Sequence, residues 1–586
     1  MSQQTSPVEN AKRTFDPIAM EVFTNRLLSI TETMAITMMR ASFSPQIKER
    51  RDFSVGLFDR RGRLVAQGTH IPVHLGSLLG SVEAVLARYG VEDIREGDVY
   101  ICNDPYAAGG THLPDISIVT PIYVDGTLLG FAANIGHHSD VGGSVPGSNS
   151  AKARTIYEEG LRIPIIRIAR DHKVDEDLLN LIALNSRLPE ERALDLRVQI
   201  STNEKGVAAT RDLIRRMGVA GFEQAIEDVL AYTLRRARRR IAELARGRHT
   251  FTTYLDDDGS GEGDRVSITA TVFAEGDTLV VDLAGTGGES RGALNVAESA
   301  LRATVYYCVK ALLDHDLMAN AGMTEAIVIR APEGSIVNPR PPAACGARTI
   351  TCQRLAGAIF GAFRNLLPRE ALIASSNDTL PSISFSGRKP SDGRIYLCGE
   401  TLGGGGGARW DSDGMDGVHV HITNTLNMPT EALENEFPLL VEQYGLAPDS
   451  GGPGRHRGGL GIVRHVRALR DGTIVSARSD SHKQGAMGAE GGGEGGRGRL
   501  LRNPGRPNEE VLASKVVHLV LAAGESVRIE TPGGAGLGAP EERPLEALAA
   551  DLRDGIVSVA AAQRQYGAER ARLALELARR AAGSNL

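Results

Sequence analysis

At 586 residues, with 41% hydrophobic and 24% charged residues, the chain has an ordinary soluble composition and is too long for one compact core. Roughly two to four domains are expected. Its net charge of −6 gives no general pull toward nucleic acid or an anionic membrane, and five scattered cysteines without a CxxC pair read as reduced thiols and exclude a zinc ribbon.

Residues 1–15 read as a loose tail with no apolar signal-peptide core, and no later run approaches a membrane span. A soluble, cytoplasmic protein is expected. Asp16-Pro17 opens a helix, with Asp as cap and Pro in the first turn. Ile18, Val22, Leu27, Ile30 and Met34 give it an apolar face out to Arg40. Phe53–Phe58 and Arg63–Gln67 alternate about Arg61-Gly62 and read as a hairpin. The charged run Lys48-Glu49-Arg50-Arg51-Asp52 before it reads, by itself, as a solvated loop. His70 and His74 are four apart, but Pro72 between them argues against a regular helix, and lone histidines near a strand end are more often structural.

Val73–Tyr89 is expected to be a helix stopped by Gly90. A Ser/Gly/Asn loop leads to a short strand at Ile163–Ile168, and residues 174–247 turn helical. There Leu230, Leu234, Ala237, Ile241 and Leu244 share one face, and Arg235, Arg236, Arg238, Arg239 and Arg240 crowd the rest. Without interleaved aromatics this basic face suits solvent or a subunit contact better than nucleic acid. At His249 the texture changes to strands: Phe251–Leu255, Val266–Phe273 and Thr278–Leu283. Asn295–Leu313 reads as a helix, residues 395–463 are Gly-rich, 464–530 β-rich and 544–582 helical.

The expected fold is therefore mixed α+β and multidomain. It has an N-terminal hairpin-and-helix region with a candidate metal site, a helical middle, a β-rich second half with Gly-rich loops and a C-terminal helical appendage. The corresponding units are 1–248, 249–543 and a docking segment, 544–586.

Asp98–Gly143 carries the strongest chemistry. Ile116–Val124 and Thr127–Ile135 flank Asp125-Gly126, a pair favoured in two-residue hairpin turns because both positions accept φ > 0. A simple ladder from that turn sets Asp115 opposite Gly136 and Pro114 opposite His137, with His112 in the loop feeding the first strand. Imidazole, carboxylate and imidazole thus converge at the hairpin's open end, and two His with one carboxylate can hold a catalytic divalent ion. Adjacent strand residues face opposite ways, so only one of His137 and His138 can meet Asp115, and the arithmetic favours His137. From chemistry alone the trio suits metal ligands and plain hydrogen-bonders equally. Asp140 and Asp104 are candidates for further ligands, for orienting an imidazole or for proton transfer.

The glycine clusters at 403–407 and 451–461 read equally as tight turns or as a nest of N–H groups around an anion, with Arg455 and Arg457 nearby. There is no GxxxxGK[ST], and a GxGxxG match at Gly493–Gly498 lacks a preceding strand and a following helix. A GxSxG elbow with a plausible triad is absent, as is HExxH. The sequence offers no recognisable place for ATP to bind.

DPIAMEVFTNRLLSI, IKERRDFSVGLFD, PVHLGS, NDPYAAGGTHLPDI, GHHSDVGG, TNTLNMPTEALE and DSGGPGRHRGGLG together resemble the hydantoinase B/oxoprolinase family over nearly the whole chain. The resemblance implies a partner, a hydantoinase A-type subunit that binds ATP and phosphorylates the substrate oxygen. It also implies a divalent metal, manganese in the related carboxylases, on positions that match His112, Asp115 and His137; the residue types alone suit Mn, Fe or Zn. The activity implied is ATP-dependent opening of a hydantoin, 5-oxoproline or similar lactam, with Asp140 or Asp104 taking a proton and Lys48, Arg51 and Arg455 as weaker candidates for holding an anionic substrate or phosphate. Two alternatives stand beside it: the large subunit of a ketone carboxylase, and a non-catalytic scaffold for the ATPase.

Overall fold

The computed structural model describes residues 16–583 except 69–70 and 261–262, so the N-terminal tail and His70 lie outside the described residues. A seven-stranded antiparallel sheet organises the first half. Its strands are β1 (Phe53–Asp59), β2 (Leu64–Gln67), β3 (Val99–Cys102), β4 (Asp115–Val124), β5 (Thr127–His137), β6 (Ile166–Arg170) and β7 (Lys173–Val174), in the order β2-β1-β5-β4-β3-β6-β7. Both faces are covered, which is why β4 and β5 read as nearly continuous apolar runs. On one face Val55, Leu57, Ile122, Leu129 and Ala132 meet the helices Pro17–Ala41 and Pro189–Met217. On the other, Phe58, Val119, Phe131, Ala133 and Ile135 meet the helix His74–Asp93.

The first helix starts as expected: Asp16 Oδ1 accepts from the N–H groups of Ile18 and Ala19 at 3.0 and 3.2 Å. Its buried stripe runs through Phe23, Leu27, Ile30 and Met34, whereas Ile18 and Val22 are exposed, because only the former spacing faces the sheet. The segment His74–Asp93 breaks at Gly90, whose φ of 68° ends the regular helix after Tyr89. The strand expected at Ile163–Ile168 lies at Ile166–Arg170, and Ile163 instead closes the preceding loop by accepting from the Asn103 N–H at 3.0 Å. Of the basic face on the helix Val219–Ala242, Arg236 pairs with Asp314 and Arg240 with Glu243, both within the chain.

The texture change at His249 marks a change of element, not a break in the core. The sheet built from His249–Leu255, Val266–Glu275, Thr278–Asp282 and Ile327–Arg330 shares one apolar cluster with His74–Asp93 and with the helices Glu298–Leu313 and Arg348–Phe363. The remaining strands form two further sheets. One of four contains Ser382–Arg388, Ile395–Thr401, Thr473–Arg478 and Lys515–Leu521; one of five includes Leu439–Leu446, Ile462–Ala468 and Ser526–Glu530. They enclose a common core around Phe385, Tyr396, Val466 and Val527.

The Gly-rich loops beside these sheets lock backbone against backbone. A Cβ on Gly459 would lie 1.9 Å from the Met415 carbonyl oxygen, and one on Gly534 would lie 1.9 Å from that of Gly406. Their N–H groups are committed to chain carbonyls: Gly406 to Met415, Gly459 to Gly406, Gly534 to Gly459 and Gly493 to Pro453. That use is close packing, not an anion nest, and it absorbs the GxGxxG match as well. The helices Leu545–Arg553, Val559–Tyr566 and Ala568–Gly583 pack on one another at the C-terminus and are tied back by Arg543 to Asp413 and Asp551. Among the described residues no helix is long and apolar enough to cross a membrane.

Candidate metal centre

The hairpin turn is as the sequence predicts. Asp125 and Gly126 both take positive φ, 49° and 75°. The ladder above it is not simple. Between Ile122 and Tyr123 the register slips by one, leaving Leu129 without an opposite number, and Asp115 comes to face His137 directly instead of Gly136. The bulge improves the convergence, because the two side chains now share one cross-strand pair.

His112 arrives from the loop 103–114. Asn103 Nδ2 staples this loop by donating to the carbonyls of Leu113 and Leu161 at 2.8 and 2.9 Å. Gly110 lies so close to the Asn103 carbonyl that a Cβ would stand 2.1 Å from it. His112 Nε2 lies 3.3 Å from Asp115 Oδ1, and the two imidazoles of His112 and His137 have centroids 5.1 Å apart. Among the described residues this trio is the group of three whose ligand atoms lie within 4.8 Å of one another.

The remaining polar atoms of the trio are used to aim it. His112 Nδ1 meets the Gly346 carbonyl at 3.3 Å, which fixes the proton on Nδ1 and leaves Nε2 as a lone pair. Asp115 Oδ2 accepts from Thr111 Oγ1 at 2.5 Å and Arg348 Nη2 at 2.6 Å. What is left over is His112 Nε2, Asp115 Oδ1 and His137 Nδ1, three buried atoms with no hydrogen-bond partner. Buried polar atoms are nearly always satisfied, so three orphans on one spot, two imidazole nitrogens and a carboxylate oxygen, fit a divalent ion such as Mn, Fe or Zn.

Electrostatics prepare the same state. Burial drives the His112 imidazole down to about 4, with Arg348 acting in the same direction, and drives His137 well below its usual range. Both rings are thus neutral at physiological pH, the form that can coordinate a metal. Burial opposes the Asp115 charge, but His112, Arg348 and His74 outweigh it and hold the carboxyl well below the usual carboxylate range.

His138 faces the other way. Its Nε2 lies 2.8 Å from Gln199 Oε1, on the helix Pro189–Met217. Gln199 Nε2 in turn donates to the Ile116 carbonyl at 2.9 Å, and Asn203 Nδ2 donates to that of Ile118 at 3.0 Å, pinning the helix to β4. Asp140 and Asp104, the proposed proton acceptors, lie in loop scaffolds. Asp140 Oδ2 accepts from Arg187 Nη1 at 2.8 Å and the Gly147 N–H at 3.0 Å, and its Oδ1 from the N–H groups of Gly142 and Arg187, both at 2.9 Å. Asp104 takes the N–H groups of Tyr106 and Ala107 and Arg162 Nε, the last at 2.6 Å. Lys48 is exposed beside Glu49, Arg51 is exposed with φ 54°, and Arg455 stacks over Trp410 at 4.8 Å.

Sequence reasoning passed over several neighbours of the trio. His74, read as a lone structural histidine, begins its helix two residues after Pro72, with Nε2 3.6 Å from both Asp52 Oδ1 and Asp115 Oδ1 and Nδ1 3.2 Å from Ser54 Oγ. Arg50 and Asp52, read as solvated, are buried. Asp52 shares a cavity wall with His137, and burial raises its carboxyl above the usual range against the pull of His74 and Arg50. Arg348 and Gly346 come from more than two hundred positions away, and no local pattern announces them.

Comparison with known proteins gives a consistent neighbourhood. The chain is 33% identical to 5-oxoprolinase 1 of Arabidopsis thaliana over 91% of its own length, although it spans only 43% of that protein. It is 30% identical to a Pseudomonas protein named as the B component of a D-/L-hydantoinase, covering 96% of each. The crystal structure of an ATP-dependent caprolactamase from Pseudomonas jessenii superposes with a TM-score of 0.88 at 28% identity, over 95% of this chain and 96% of that one. A nucleotide-free acetone carboxylase structure shares the fold, with a TM-score of 0.86 at 18% identity over 97% of this chain and 84% of that one. The model of the hydantoinase B/oxoprolinase family matches residues 16–540, and the chain belongs to that family.

Proposed function

We propose that this chain supplies the ring-opening site of an ATP-dependent cyclic-amide hydrolase, working on a lactam or hydantoin whose amide oxygen is phosphorylated on a hydantoinase A-type partner. The observation that carries the reading is the trio of buried, unpartnered donor atoms on His112, Asp115 and His137. The likeness to a caprolactamase and to a hydantoinase component supports the substrate class, and the missing nucleotide motif supports the partner.

A divalent ion held by the trio would act as a Lewis acid and bring the acidity of a water toward neutrality. The chain's own residues supply the rest. Gly346 keeps the proton on His112 Nδ1, and Arg348 with Thr111 orients Asp115 so that one oxygen remains free. Asp52, in the cavity wall beside His137, is the proton acceptor in this reading, since burial raises its basicity above that of an ordinary carboxylate. Phosphorylation of the amide oxygen elsewhere removes the resonance that protects the ring carbon, so the attacking water needs positioning and deprotonation here.

The carboxylase alternative shares the fold, but at 18% identity that likeness carries no activity. The deciding assay uses the complex of this chain with its ATP-binding partner on lactams, hydantoins and ketones. Ring opening coupled to ADP formation without bicarbonate supports the hydrolase. Strict bicarbonate dependence sinks it. If Asp115→Ala assembles with the partner and still turns over, the chain is a scaffold.

A further inference from the structure

Two arginines line the cavity next to the candidate metal centre, and neither belongs to the trio's own support. Arg50 is 3% exposed and Arg478 6% exposed. They border a space of about 50 Å³ that His137 and Asp52 also face. Arg50 donates to Gln46 Oε1 and, at 2.7 Å, to Thr401 Oγ1. Arg478 Nη1 donates to Asn149 Oδ1 at 3.2 Å and to the Gly346 carbonyl at 2.9 Å, the same oxygen that meets His112.

Neither guanidinium makes a direct ion pair, although Asp52 acts on Arg50 and Glu159 on Arg478 at longer range. The Nε of each has no hydrogen-bond partner, and among the described residues no carboxylate lies within ion-pair distance of either. Glu400, an acid on the same wall, is taken by Arg464 at 3.0 and 3.2 Å, and Asp115 is taken by Arg348. Burial, reinforced by neighbouring Arg348, pulls the Arg478 guanidinium down to about 9. Buried cations without a direct ion-pair partner are unfavourable unless a ligand brings one. The planar fork of a guanidinium matches phosphate and carboxylate oxygens. The space would hold about four waters, or one small oxyanion in their place. Leu397 borders both this cavity and a surface cleft of about 490 Å³ between Phe43 and Phe437, so solvent lies one side chain away.

We propose that Arg50 and Arg478 form an oxyanion subsite beside the metal centre, which takes the phosphoryl or carboxylate group of the substrate. The identity of that substrate rests on the hydrolase reading above; the subsite itself does not. It would hold the anionic group while the ring carbon faces the trio, and it would discriminate against substrates that arrive without the anion.

The test is isothermal titration of the metal-free full-length chain with inorganic phosphate and, separately, with acetate. One saturable site per chain is expected, weakened at least tenfold in both Arg50→Lys and Arg478→Lys, which keep the buried charge but lose the fork, and unchanged in Arg239→Gln, on the exposed helix face. Tighter phosphate assigns the subsite to the phosphoryl group; tighter acetate assigns it to a substrate carboxylate. Absence of saturable binding of either anion, or binding indifferent to both lysine substitutions, overturns the proposal. Ring opening measured in parallel separates the two readings: a hydrolase with no anion site loses only the subsite, and a phosphate-binding chain that opens no ring loses only the hydrolase.

Discussion

Asp115 faces His137 across the β4–β5 ladder, and the far oxygen of the Asp115 carboxylate is clamped by Arg348 at 2.6 Å. One oxygen holds the scaffold and the other is free toward the histidines. This division of labour makes the carboxylate both a structural counter-ion and a candidate ligand, and the two roles can be separated by substitution.

Asp115→Asn keeps the shape and removes the charge. Arg348, 2% exposed, then loses its ion-pair partner, and breaking a buried pair from one side costs about 3–5 kcal/mol. Denaturant unfolding of the metal-free protein should show that loss, and metal content should fall below a tenth of the wild-type value. Unchanged stability would mean that Arg348 does not depend on Asp115.

The two adjacent histidines should part company. His137→Leu is expected to abolish metal binding with little loss of stability, since its Nδ1 has no partner to lose. His138→Leu strands Gln199 Oε1 in the interior, which costs about 1–3 kcal/mol, and metal content should persist. The reverse pattern would put the ligand on the other face of the strand.

Acid should unfold the metal-free protein early. The folded-state pKa of His112 is depressed to about 4 from an unfolded value of 6.5, so its neutral form favours the fold fully above pH 6.5, and that contribution is lost as pH falls toward 4. The shift corresponds to about 3 kcal/mol. Stability measured between pH 7 and 4 should drop steeply without metal, and His112→Asn should flatten the slope.

Glu159 carries the opposite sign. Burial pushes its carboxyl up to about 8 from 4.5, although Oε1 accepts from the Gly346 N–H at 2.6 Å. Its protonated form favours the fold, fully below pH 4.5, and the contribution disappears as pH rises through 8. Glu159→Gln should therefore stabilise the protein above pH 8 relative to wild type and leave it little changed near pH 5. Equal effects at both pH values would show that Glu159 does not change protonation there.

Much of this site was legible from local signals. Asp125-Gly126 announced the hairpin through its turn chemistry, β-rich apolar runs announced β4 and β5, and the residue types of His112, Asp115 and His137 marked a candidate ligand set. The one-residue slip was not legible, because Leu129 sits in the bulge as a buried apolar residue that a regular ladder would also accommodate. Nor were the supports. Lys48 to Asp52 reads as one charged run, yet Lys48 is exposed while Arg50 and Asp52 turn inward, a split set by the strand that begins at Phe53 and by partners such as Thr401 far along the chain. The Gly-rich loops gave their purpose away only in three dimensions, where Gly406, Gly459 and Gly534 stack against one another.

The most direct test of the account is anomalous diffraction from crystals of the full-length chain, grown with manganese and measured on both sides of the metal absorption edge. The account predicts one ordered peak bonded to His112 Nε2, Asp115 Oδ1 and His137 Nδ1, absent from His112→Ala crystals. A metal-loaded protein whose anomalous density lies anywhere else, or a wild-type site that stays dark at saturating manganese, iron and zinc, would contradict it.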